Sequence, residues 1–159
     1  MLRITSALAL LLAVATSASA QQPQGQPAAA SGARAEVQKF VNAYIDAHNR
    51  ADATSLSEAV SHRAEVSSVN DGTITRGWEA IRTGTDEIAG SQGSFNLAIG
   101  TMDITQLGAS YALVVAPTTI TARNQQCQVV QVKGAMTLVL QKGDGGWKIL
   151  NEHYSSRVQ

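Results

Sequence analysis

The sequence predicts an α+β cone in which three N-terminal helices pack on one face of a curved, mainly antiparallel sheet. Three observations lead there. An early stretch carries the apolar spacing of an amphipathic helix. The last third alternates apolar and polar residues with period two on either side of a glycine-rich turn. Between them, short turn signals mark further strands, so helices come first and an antiparallel run comes last.

The helix runs from Ala33 to Asn49. Val37, Phe40, Val41, Tyr44, Ile45 and His48 recur on one stripe, with Glu36, Lys39, Asn42 and Asp46 opposite. Ser31 fits its N-cap, and Asp52 fits the cap of a shorter helix from Ala53 to Val60. Asn70-Asp71-Gly72 between Glu65–Val69 and Thr73–Arg76 signals a tight hairpin. Trp78 to Ala89 reads as a third helix. In Ser94–Thr105 the apolar parity moves from Phe95, Leu97 and Ile99 to Met102 and Ile104, which predicts a β-bulge at Gly100. Pro117 in the next strand, Ser110–Ala122, predicts an edge or a local break.

The closing ribbon carries the site expectation. Val130, Val132, Gly134, Met136, Leu138 and Leu140 share a face, and Lys142-Gly143-Asp144-Gly145-Gly146 turns the chain. Carrying the Trp147/Ile149 parity forward sends Asn151, His153 and Ser155 inward and Glu152 and Tyr154 outward. His153 is then a general base or ligand donor, or a buried histidine satisfied by its neighbours. Tyr44 packs its ring and needs a hydroxyl partner. His48 reads as a pocket residue or as a helix-end histidine favouring the dipole. Trp78 reads as core or pocket wall. The expected ligand-binding set is Tyr44, His48, Trp78, Asn151, His153 and Ser155.

Met1 to Ala20 reads as a signal peptide, with Arg3, an apolar run over Ala7–Ala15, and Ala18-Ser19-Ala20 for cleavage. That run is too short to span a bilayer, and no cysteine follows the cleavage site, so no stable membrane anchor is expected. Export to the periplasm or beyond follows. Gln21 to Gly32 reads as a disordered linker, and Ala33 to Gln159 as one domain. The one cysteine, Cys127, has no internal partner. Zero formal net charge and no basic stripe argue against nucleic acid. The scattered His48, His62 and His153 predict neither a metal nor a cofactor site.

Three stretches together, EVQKFVNAYIDAHN, DGTITRGWEAIR and MTLVLQKGDGGWKILNEHYS, resemble the nuclear transport factor 2-like superfamily of cystatin-like cones. The chain looks closest to the SnoaL-like and ketosteroid-isomerase-like domains of small secreted bacterial proteins. The resemblance implies a pocket at the open end of the cone, and puts Tyr44 in the position of the isomerases' helix tyrosine. No inward Asp pair accompanies it; Asp103 and Glu65 are the nearest acids to that pattern. Fold alone selects no activity. The leading expectation is an exported domain binding a small apolar molecule without established catalysis. The alternatives are a proton-transfer enzyme of isomerase, cyclase or dehydratase type using His153 and Tyr44, and a homodimeric interaction module. The dimer would use an outer sheet face bearing Val129, Val139, Leu150 and Tyr154.

Overall fold

The computed structural model describes residues 28–90, 95–123 and 127–156. The expected signal peptide and residues 21–27 of the expected linker lie outside them. The elements are α1 (Ala28–Asn49), α2 (Ala53–Ala59), β1 (Ser67–Asn70), β2 (Thr73–Arg76), α3 (Trp78–Gly90), β3 (Phe95–Ile99), β4 (Asp103–Gln106), β5 (Tyr111–Arg123), β6 (Val129–Gly143) and β7 (Gly146–Ser156). The β1–β2 hairpin precedes α3, in the order the turn and helix signals predict. One expectation needs correction. Helix α1 begins at Ala28, upstream of Ala33, so Ser31 lies inside it rather than capping it. Alanine is the best helix former, and Ala28-Ala29-Ala30 extends the helix into the compositional linker.

The seven strands form one curved, unclosed mixed sheet in the order β2-β1-β7-β6-β5-β3, with β4 also paired to β5. All pairings are antiparallel except β1 with β7. Asp71 and Gly72, at φ 44° and 87°, make the two-residue turn of the β1–β2 hairpin. Asp52 caps α2, its carboxylate accepting from Ser55 N at 3.0 Å and from Ser55 Oγ at 2.7 Å.

Two irregularities bend the sheet. Between β3 and β4, Ile99 pairs with Thr118 and Asp103 with Val115, so four steps on one side face three on the other. That is the expected bulge at Gly100. Gly100 N donates to the Pro117 carbonyl at 2.9 Å. The Pro117 nitrogen faces the same way, so its missing donor falls in the gap between β3 and β4. Arg34 reaches across from α1 to the Ile104 and Met102 carbonyls at 3.0 and 3.5 Å, satisfying acceptors beside the gap.

The second irregularity was not expected. Leu140 pairs with Ile149 but Val139 pairs with Asn151, leaving Leu150 as an extra residue in β7. Beyond it the parity of β7 reverses.

The inner sheet face meets the helices in one apolar core. Val37 and Val41 of α1, Leu56 of α2, Val114 of β5, Leu138 and Leu140 of β6 and Ile149 of β7 are all essentially inaccessible. Emptying any of these large side chains costs about 2 to 5 kcal/mol.

At the first bulge, a Cβ on Gly100 would lie 2.8 Å from Pro117 Cγ, whereas one on Gly145 meets nothing within 4 Å. Gly100→Ala is therefore expected to lose about 1 to 3 kcal/mol in urea unfolding. Gly145→Ala is expected to stay within about 0.5 kcal/mol of wild type.

Candidate functional site

A cavity of about 790 Å³ opens between α1, α3, the β1–β2 hairpin and the inner face of β5–β7. Its walls are mostly apolar, including Val60, Ile81, Leu97, Ile120 and Met136. The polar groups that meet one another come from the first helix and the two strands that pair in parallel, and Thr73, Thr75, Thr85 and Arg123 line other parts of it.

Glu152 is the central one. The Leu150 bulge turns it inward, opposite Leu138 on β6 and beside Ser68 on β1. Ser68 Oγ donates to Glu152 Oε1 at 2.8 Å, and the Tyr44 hydroxyl donates a short hydrogen bond to Oε2. Tyr44 sits on the buried stripe of α1, and the ring of His48, one turn on, meets it edge-on at 4.7 Å. Burial first, then the Glu152 charge and its hydrogen bond, push the Tyr44 phenol well above its ordinary value. Tyr44 therefore stays a donor at physiological pH. Burial pulls the His48 imidazole below its ordinary value, against an opposing pull from Glu152. Near neutral pH His48 thus presents one donor and one acceptor without charge.

The inward histidine expected at position 153 is corrected. His153 pairs with Val69 and Thr137, is exposed, and does not line the cavity. Asn151 and Ser155 share its outward parity; Asn151 Nδ2 donates to Ser67 Oγ at 2.8 Å and to the Ser67 carbonyl at 3.3 Å. Trp78 is half-buried against the core and does not line the cavity, its ring meeting His62 at a 4.2 Å centroid distance. Of the expected set, only Tyr44 and His48 line the cavity. Tyr154, expected outside, faces in with Glu152 and packs against the core, as does Leu150.

The residues that sequence reasoning missed are Glu152, Ser68 and Tyr154. One signal was available: Ile149 and Leu150 are consecutive large apolar residues, the same break in alternation that marks Gly100. Among the described residues no three His, Cys, Asp or Glu side chains gather to hold a metal ion.

A curved sheet wrapped over a long helix, with a cavity between them, is the architecture of the nuclear transport factor 2-like proteins. The chain belongs to the SnoaL-like domain family, whose model matches residues 37–159. A nuclear transport factor 2-like superfamily protein from Salmonella enterica serovar Typhimurium is similar at TM-score 0.72 and 22% identity, over 82% of this chain and 94% of that one. A candidate dehydratase of the same family from Streptomyces avermitilis is similar at TM-score 0.70 and 18% identity, over 81% and 99%. A candidate ketosteroid isomerase from Shewanella frigidimarina is similar at TM-score 0.65 and 18% identity, over 78% and 98%. At these identities the likeness is one of fold. No curated protein matches the chain.

The depressed His48 pKa fixes the sign of a pH effect. The unfolded chain takes up this proton near the ordinary value of 6.5, before the folded protein does. Stability is then full above that value and declines as pH falls below it toward the folded value. Urea unfolding at pH 7.5 and 5.5 is expected to show this loss in wild type and a smaller one in His48→Gln.

Proposed function

We propose that the protein binds a small, predominantly apolar molecule inside the cone, with Glu152, Tyr44 and His48 engaging its polar end. The observation that carries this reading is the cavity: about 790 Å³, walled by aliphatic side chains, with one hydrogen-bonded carboxylate inside. This size lies in the range of small-molecule sites, which pair apolar walls with a few fixed polar groups. Export through the Met1–Ala20 segment belongs to the same proposal, and N-terminal sequencing of the mature protein tests it. So does self-association through the outer face of β5 and β6, where Tyr111, Val115 and Val129 are 39%, 38% and 60% exposed. Sedimentation velocity reads that directly.

Gly84 gives the binding proposal a selective test. It lines the cavity on α3, and a Cβ there meets nothing within 4 Å. Gly84→Leu should put a branched side chain into the cavity and take part of its volume, while improving helix propensity by up to about 1 kcal/mol. A bicyclic probe such as 2-naphthol is expected to raise the melting temperature of wild type. The variant should melt no lower than wild type and show a smaller probe response. A wild type unmoved by a broad panel of such probes sinks the reading.

A second reading is proton-transfer catalysis with Glu152, in place of His153, as the base. It is favoured by the carboxylate, phenol and imidazole meeting in one apolar cavity, and by neighbours of the candidate dehydratase and candidate isomerase kinds. Exchange of the α-protons of 2-decalone in deuterated water, followed by NMR, measures it. Glu152→Gln is expected to slow protein-catalysed exchange by roughly 100-fold or more. His153→Ala is expected to leave it unchanged.

A further inference from the structure

We propose that the molecule held in the cone is an amine: a protonated nitrogen on an apolar skeleton, seated against Glu152. This rests on the binding reading above and names the class of ligand. The argument is one of charge and hydrogen-bond accounting.

A carboxylate offers about four acceptor positions. Tyr44 and Ser68 each occupy one, on different oxygens, so both oxygens keep a free position. Neither protein donor carries a positive charge. Among the described residues no Lys or Arg forms an ion pair with Glu152. His48 is the adjacent group able to become cationic, and its burial favours the neutral form. The other charged residue at the cavity, Arg123, belongs to the far end of the sheet. It pairs with Val129 of β6, whereas Glu152 pairs with Leu138, and its guanidinium donates to the Cys127 carbonyl at 3.1 Å.

Solvent that enters an open cavity can hydrate a half-buried carboxylate. An apolar ligand that fills the cavity expels that water. Stripping a carboxylate of water without a counter-charge is costly, and two neutral donors do not replace one. A ligand that brings an ammonium group supplies the missing charge and donors at once. Tyr154, on the same face of β7 as Glu152, lines the cavity beside it. An anionic ligand meets repulsion at this end, and a neutral alcohol supplies a donor but no charge.

The test is a matched series on one skeleton: 1-naphthylmethylamine, 1-naphthalenemethanol and 1-naphthoate, each titrated calorimetrically into the full chain at pH 7.5. The amine is expected to bind about tenfold or more tighter than the alcohol, and the carboxylate more weakly than either. In Glu152→Gln the amine's advantage should shrink to within about threefold while the alcohol still binds. Gly84→Leu should weaken binding of both, which locates them in the cone even if Glu152→Gln fails to fold. An alcohol binding wild type as tightly as the amine overturns the amine proposal and leaves the binding reading standing. Should none of the three bind, both fall.

Discussion

The carboxylate of Glu152 ties together three parts of the chain that are far apart in sequence. Tyr44 approaches it from the first helix, Ser68 from the first strand, and Glu152 itself stands on the last strand. A group in an apolar cavity must have its lone pairs met, so the donors and acceptor constrain one another. Helix α1 must present Tyr44 at the depth of the sheet where Ser68 and Glu152 lie side by side. The parallel pairing of β1 with β7, exceptional in this sheet, brings those two residues into register. The polar contacts are few, but they fix how the cone closes around its hollow.

That hollow depends on sheet curvature. The ribbon of β5 and β6 is continuous from Tyr111 opposite Gln141 to Arg123 opposite Val129. Long flat ribbons would lie against the helices along their whole length and leave no space. Here the β3–β4 gap next to Pro117 and the extra residue in β7 interrupt the ladders on both sides of that ribbon. Bulges increase local twist and bend a strand. The backbone groups they free are not left empty: Arg34 serves the carbonyls beside the first gap. Apolar burial at Val37, Val41, Leu138 and Leu140 holds the helices to the sheet.

Much of this architecture was legible in the sequence because each signal had a local cause. Asn70-Asp71-Gly72 demanded a tight turn, Asp52 a helix cap, and the parity change around Gly100 a bulge. The stripe through Val37, Val41 and Tyr44 fixed the buried face of α1. What was not legible turned on a single backbone event. Alternation carried forward from Trp147 and Ile149 sends His153 inward; the extra residue at Leu150 sends it outward and brings Glu152 in its place. No glycine marks that stretch as one marked the first bulge, and its one trace is the adjacent apolar pair Ile149 and Leu150. The helix start at Ala28 was missed for a different reason, since a Gln-, Pro- and Ala-rich composition reads as linker although its alanines favour helix.

The bulge in β7 also bears on how a protein of this shape changes its chemistry over evolutionary time. Point substitution alters one wall residue at a time. Closing the bulge, so that Leu150 rejoins the ladder opposite Val139, would exchange the alternating set wholesale, trading an acid and a phenol for an imidazole and a hydroxyl. The strands on either side, and the scaffold behind them, would be the same. Loss or gain of such a kink therefore offers a lineage a short mutational path between unrelated cavity linings on an unaltered frame.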